Sequence, residues 1–334
     1  MRVLVTGGAG YIGSVTVAEL LRAGHEVTVY DNLSHGYAQA VPRGVELIRG
    51  EVADRETLDT VFRSHGIEAV MHFAALVEAG ESMQVPERYF RNNTASTLTL
   101  LEAMLAAGVK RLVFSSTAAL YGEPETIPIR ESDALKPTNV YGESKLLVER
   151  MLSWFHRIHG LRYASLRYFN AAGATREFGE AHQPESHLVP LILQVALGQR
   201  KDIAIYGTDY PTRDGTCIRD YIHVVDLADA HILALGALER DGQSIYNLGN
   251  GRGFSVREVI DVARRVIGHP IPAVEAARRP GDPAVLVASS EKIKRELGWQ
   301  PRFAELETIV RSAWEWLQGH PRGYAGASAT ERSA

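Results

Sequence analysis

Residues 3–14 read Val3-Leu4-Val5-Thr6-Gly7-Gly8-Ala9-Gly10-Tyr11-Ile12-Gly13-Ser14. Three apolar residues make a short buried strand. Glycines at 7, 10 and 13 then let the chain turn tightly, bring backbone N–H groups against a pyrophosphate and pack the following helix on its strand. The amphipathic run Ser14 to Ala23 supplies that helix, and Val27 to Tyr30 forms a second strand ending at Asp31. A carboxylate at this point accepts from a ribose 2′-hydroxyl and repels a 2′-phosphate, so the unit reads as an NAD site rather than an NADP site.

Outward from this unit the same alternation continues. Further strands are expected at Val45 to Ile48, Ala69 to Phe73, Arg111 to Ser115 and Tyr163 to Arg167, with helices at Arg55 to Ser64, Tyr89 to Ala107 and Val140 to His159. Strands apolar on both faces, each followed by a helix, predict an α/β fold with a doubly wound parallel sheet of Rossmann type. After about residue 170 the pattern loosens into loops rich in Gly, Pro and Asp, with helical segments near Leu188 to Leu197, Val225 to Leu238, Val256 to Ile267 and Leu306 to Leu317. The expected division is a cofactor domain over 1–170 with some later segments returning to it, and a smaller C-terminal α/β lobe over 171–322. A cleft lies between them. The small, polar tail 323–334 is expected to be disordered.

Composition narrows the partners. The 334 residues carry a net charge of −4, with 45% hydrophobic and 23% charged content. That is the profile of a globular chain without the basic footprint of nucleic-acid or anionic-membrane binders. Neither kind of partner is expected. No apolar run nears 18 residues, so no membrane span is expected, and the short Val3-Leu4-Val5 run is no signal sequence. The cytoplasm follows as the expected location. One cysteine, Cys217, excludes an intramolecular disulfide framework. His156 and His159 stand one helical turn apart without a partner motif, and no metal is expected.

Tyr141-Gly142-Glu143-Ser144-Lys145 places a phenol and an ammonium one turn apart on a helix face. A phenol titrates near ~10, and a cation at about 4 Å in an effective dielectric of about 20 supplies roughly 4 kcal/mol toward its ionised form. Tyr141 beside Lys145 therefore reads as a base. Thr117, just past the end of a strand, stands where sites in such sheets open.

The spacing Gly-x-x-Gly-x-x-Gly resembles that of the short-chain dehydrogenase/reductases, and the chain as a whole resembles their extended branch, in particular the UDP-glucose 4-epimerases. The resemblance runs from Met1 to about Tyr324. Besides the glycine loop it rests on Asp31-Asn-Leu33, Phe114-Ser-Ser-Thr117, Tyr121-Gly122, Tyr141-Gly-Glu-Ser-Lys145, Arg167-Tyr-Phe-Asn170, Asp214-Gly-Thr-Cys-Ile-Arg-Asp-Tyr-Ile-His223 and Tyr246-Asn-Leu-Gly249.

The resemblance implies a permanently held NAD that takes a hydride from C4 of a UDP-hexose and returns it to the other face of a 4-keto sugar. Tyr141 would take the 4-hydroxyl proton, Lys145 would hold the nicotinamide ribose and lower the phenol's pKa, and Thr117 would bond the same sugar oxygen. A base and a donor at O4 are what the transition state requires. NAD contacts would come from Gly7, Gly10, Tyr11, Ile12, Gly13, Asp31, Asn32, Glu51, Val52, Phe73, Asn92, Lys145 and Phe169. UDP-sugar contacts would come from Asn170, His187, Leu188, Tyr206, Arg219, Arg279, Asp282 and Leu286, the arginines on phosphates and Asp282 on ribose. A homodimer built from the segments Tyr89 to Ala107 and Val140 to His159 is implied too.

Three departures stand out. Val77 occupies a position where many of these epimerases carry a cofactor-side Lys, which withdraws that contact. His187 stands where an Asn is frequent and still donates to a phosphate. Leu286 marks the sugar's N-acetyl side with an intermediate residue, between a blocking Tyr and a small one, leaving UDP-N-acetyl sugars open beside UDP-glucose and UDP-galactose. A 4,6-dehydratase is disfavoured because Ala118-Ala119 follows Thr117 where an acid and a base are needed. A UDP-glucuronate epimerase or decarboxylase stays open. A non-catalytic NAD or UDP-sugar sensor on the same fold is disfavoured by the retention of Tyr141, Lys145 and Thr117.

Overall fold

The computed structural model describes residues 1–240, 242–279 and 281–326. The first half follows the order β1 (Arg2–Thr6), α1 (Tyr11–Arg22), β2 (Glu26–Asp31), β3 (Glu46–Arg49), α2 (Arg55–His65), β4 (Ala69–His72), α3 (Ala79–Ser82), α4 (Pro86–Tyr89), α5 (Ser96–Ala106), β5 (Arg111–Thr117), α6 (Val140–His159) and β6 (Arg162–Tyr168). The second half adds β7 (Asn170–Ala172), α7 (Leu188–Ala196), β8 (Ile203–Tyr206), β9 (Ile218–His223), α8 (Val224–Ala237), β10 (Gln243–Leu248), β11 (Gly253–Ser255), α9 (Val256–Ile267), β12 (Ala273–Ala276), β13 (Val285–Leu286), α10 (Glu291–Leu297) and α11 (Leu306–Gly319).

Seven strands form one sheet in the order β10-β6-β5-β4-β1-β2-β3, every pair parallel. Strand periodicity assigns its two faces. Val3 and Val5 pack with Val17, Leu20, Leu227 and Leu235 under α1 and α8, while Leu4 packs with Leu58, Phe62, Leu101, Met104 and Leu152 under α2, α5 and α6. Burial on both faces is why these strands are apolar throughout. The chain runs outward from β1 through β2 and β3, then returns to β4 on the other side of β1. The crevice at the carboxyl ends of β1 and β4 is thus the switch point where ligands of such sheets bind.

A second core gathers Val189, Ile192, Ile203, Ile205, Val259, Ile260, Ile309 and Val310 between α7, α9, α11 and the β8–β12 pair. Beside it β9 pairs with β7, β11 and β13. β10, supplied by later sequence, joins the main sheet beside β6.

Two expectations need correction. The helix read as Tyr89 to Ala107 is interrupted, because Phe90–Ala95 form a wider π-turn between α4 and α5. The Asn93 side chain there donates to Leu76 O at 2.9 Å and to Ser144 Oγ at 3.0 Å and accepts from Leu76 N at 2.9 Å, ties for which the widened turn makes room. The disorder expected from Gly323 does not hold for the first residues of that segment. Gly323–Gly326 form a 3-10 turn, Tyr324 is buried against Tyr37 and Trp316, and the rest, 327–334, lies outside the described residues. Among the described residues no helix is long and apolar enough to cross a membrane.

Candidate active site

The glycine loop closes against the neighbouring strand. Gly7 has φ +74°, and a Cβ there would lie 2.5 Å from Ala74 N after β4; a Cβ on Gly13 would lie 2.1 Å from Gly7 O. Only glycine allows both approaches. Asp31 is buried at the end of β2 and accepts from Ala9 N at 3.0 Å and Leu33 N at 2.8 Å, which fixes its carboxylate beside the loop. Burial raises its pKa above the usual carboxylate value, against those two N–H bonds. Asn32 donates to Glu51 at 3.0 Å on the same rim.

One cavity is lined by Gly7, Gly10, Tyr11, Ile12, Gly13, Asp31, Asn32, Glu51, Val52, Phe73, Asn92 and Phe169. The sequence-predicted cofactor residues thus meet in a single place, Lys145 alone lying behind its wall. A loop of close-packed glycines at a helix start, with an acid set for a diol, suits the pyrophosphate and adenine ribose of a dinucleotide. Val77 also lines it, in place of a cation.

Thr117, Tyr141, Asn170, His187 and Leu188 line the same cavity. Asn139 caps α6 by accepting from Gly142 N at 2.8 Å, and a Cβ at 142 would lie 2.7 Å from Ala119 O. Glycine lets the helix begin hard against the turn after β5. The Tyr141 phenol stands near enough to Thr117 for that hydroxyl to favour its ionised form. Burial pushes the phenol up to about 12, with the Thr117 hydroxyl pulling down and the Glu78 carboxylate pushing up.

Lys145, expected to lower the phenol's pKa, is itself buried at the end of β5. Its ammonium donates to Ser115 O at 2.8 Å and lies over the Phe114 ring at 4.8 Å. Burial brings Lys145 down to about 7. Each group alone is held toward its neutral form.

The remaining predicted residues form a second group on the C-terminal lobe. Arg219 donates to Asp282 at 3.1 Å, Arg279 lies over the Tyr206 ring at 4.0 Å, and Leu286 is in register with Arg219 on β13. None of the five lines the cofactor cavity. Leu286 links the two groups, because it packs on the same apolar cluster as Phe169.

Sequence reasoning passed over Glu78, Ser115, Tyr168 and His182, which also line the cavity. Glu78 accepts from Ser186 Oγ at 2.7 Å, and the Ser115 hydroxyl is bonded to the Tyr168 phenol. Their positions just beyond β4, at the end of β5 and at the end of β6 were the available signal. Also missed was a cluster of Glu180, His182, Glu185 and His187, whose donor atoms all lie within 4.8 Å of one another. His156 and His159 are apart from it, His156 bonding Leu161 O at 2.7 Å and His159 meeting the Phe155 ring.

Several quoted motifs serve the scaffold. Arg167 and Glu149 form a buried two-pronged pair at 3.0 and 2.6 Å, Arg167 also donates to the Tyr121 hydroxyl at 2.9 Å, and Tyr121 donates to Asn247 at 2.7 Å. Three motifs distant in sequence thus close one network behind Thr117.

A family model described as the NAD dependent epimerase/dehydratase family matches residues 3–249. The chain belongs to that family. Among similar members, the UDP-glucose 4-epimerase of Halalkalibacterium halodurans is 57% identical over 328 residues, covering 97% of this chain and 98% of that one. A crystal structure of a UDP-glucose 4-epimerase is 51% identical with a TM-score of 0.95, covering 97% of this chain and 99% of the other. The UDP-glucose 4-epimerase from Brucella ovis, solved in complex with NAD, is 43% identical with a TM-score of 0.92, covering 96% and 98%. NAD is the cofactor that family membership gives, and the donor set of the glycine-loop cavity suits it.

Proposed function

We propose that the chain is a UDP-glucose 4-epimerase, interconverting UDP-galactose and UDP-glucose by reversible oxidation at C4 through a 4-keto sugar. The single observation that carries this reading is the Tyr141–Thr117 hydroxyl pair, which opens into the cavity lined by the glycine loop and Asp31. NAD supplies the hydride acceptor and donor when bound. Tyr141 takes the O4 proton as the carbonyl forms and returns it when the alcohol is restored. Thr117 bonds the same oxygen and holds it at the phenol.

Lys145 balances the phenolate. Burial penalises either charge alone, so a phenolate and an ammonium one turn apart stabilise each other and ionise as a coupled pair. Asn170, His187 and Leu188 bind the nucleotide sugar in the cavity. Arg219, Arg279, Asp282 and Tyr206 hold its UDP end from the C-terminal lobe, and Leu286 flanks the sugar.

The protein is read as a cytoplasmic homodimer. Its α5 and α6 leave Leu98, Trp154 and Ile158 exposed, the last two at 59% and 67%, and residues at i and i+4 share one helix face.

Purified protein incubated with UDP-galactose and no added NAD is expected to form UDP-glucose, read by chromatography. No UDP-glucose even with NAD supplied would overturn the UDP-hexose assignment and direct the assay to UDP-N-acetylglucosamine and UDP-glucuronate.

A further inference from the structure

We propose that Glu180, His182, Glu185 and His187 form a binding site for one divalent transition-metal ion of the zinc class, set in the wall of the active-site cavity. The four donor atoms lie within 4.8 Å of one another. His187 Nδ1 is 2.5 Å and His182 Nδ1 3.0 Å from the same Glu180 oxygen, and His187 Nδ1 is 3.7 Å from Glu185 Oε1. Four ligands on a tetrahedral ion with bonds of about 2.0–2.1 Å stand roughly 3.4 Å apart. Shifts of less than about an ångström would bring these donors to that spacing.

Without an ion the group is only partly satisfied: His187 Nδ1 meets Glu180 at 2.5 Å and Glu185 accepts two backbone N–H bonds, but His182 has no well-directed partner. The Glu180 and Glu185 side chains are only 6% and 4% exposed, and two buried carboxylates this close repel. His182 Nδ1 is buried without a well-directed hydrogen bond, although Glu180 is near. Both imidazoles turn Nδ1 toward one carboxylate oxygen. That is a redundant arrangement for hydrogen bonds and a convergent one for a cation. Two neutral imidazoles and two carboxylates cancel a charge of +2, and mixed nitrogen and oxygen donors suit zinc over magnesium or calcium. Backbone N–H groups of Ser186 and His187, both at 2.8 Å, bond Glu185 Oε1 and hold its carboxylate in place, as outer bonds do for ligating carboxylates.

The position gives the ion a task. His182 and His187 line the cofactor cavity, while Glu180, His182 and Glu185 line a second cavity with Gly173, Gln194 and Trp316. The ion clasps the 180–187 segment between them, with an entry path through the second cavity. With Nδ1 on the ion, the ring proton of His187 is confined to Nε2, so any acceptor in the active-site cavity meets a fixed donor.

The test uses the full-length untagged protein, stripped with dipicolinate, reloaded with zinc and desalted. The expected result is roughly one zinc per chain by mass spectrometry and a rise in Tm of several degrees. The H182A/E185Q double variant should lose both while its far-UV spectrum is kept. Zinc below about a tenth of an equivalent in the wild type, or equal zinc in the variant, overturns the site. Should the variant misfold, cobalt loading of the wild type decides. Visible bands of a four- or five-coordinate ion support the site, and the spectrum of the aqueous ion overturns it.

Discussion

Tyr141 sits near 12 and Lys145 near 7 because burial costs each its charged form. Replacing the phenol removes the proton carrier while leaving the glycine loop untouched. Tyr141→Phe is therefore expected to lower kcat by about 10²–10⁴ with retained NAD unchanged, checked by turnover of UDP-galactose and by cofactor content. The residue types were readable from spacing, but their electrostatics were not. A one-turn separation says that two side chains share a face; it does not say that the ammonium will choose Ser115 O. His231 was silent in sequence as well. It is fully buried against Phe73 and Tyr168, and burial lowers it to about 4. Above its unfolded pKa of about 6.5 it is neutral in both states, and below that the unfolded chain takes a proton the folded one refuses. Stability present above 6.5 is thus lost as pH falls toward 4. Relative to wild type, His231→Phe is expected to remove a slope of up to about 1.4 kcal/mol per pH unit in that window, measured by urea unfolding across pH.

Helix α6 runs over the residues read from sequence, Val140–His159, because both its ends are marked: Asn139 caps one, and Gly160 in the left-handed region closes the other. The π-turn at Phe90–Ala95 carries no such mark. Asn93 makes it necessary only through Leu76 and Ser144, partners 17 and 51 residues away. The Arg167–Glu149–Tyr121–Asn247 network was hidden for the same reason, its members coming from separate elements. The glycine loop was legible because strand, turn and helix are adjacent in sequence. Its close packing makes the most direct test at this scale. Gly13→Ala would place a methyl 2.1 Å from Gly7 O and push the loop off its strand. NAD retained through purification is expected to fall by roughly ten-fold or more, since about 1.4 kcal/mol of lost affinity suffices, read by absorbance after denaturing release.

The parallel sheet was legible in the whole chain because strand and helix alternate with little interruption as far as β6, while its strand order came only with the structure. The second lobe was legible only as a change of pattern, its short strands β7, β11 and β13 being set by pairing rather than composition. The proposed homodimer is tested at this scale. Trp154→Glu with Ile158→Glu is expected to convert a dimer into a monomer at micromolar concentration, read by light scattering on a sizing column, because like charges on a shared apolar face oppose burial. The seventh strand has a different consequence. β10 reaches β6 only after the chain has threaded through β7, β8 and β9. On the ribosome, an emerging chain that has passed β6 still shows an open hydrogen-bonding edge of seven residues, Arg162–Tyr168. That edge stays available to other nascent chains until Gln243–Leu248 clear the exit tunnel, which makes the interval between them the window in which this protein most needs a chaperone.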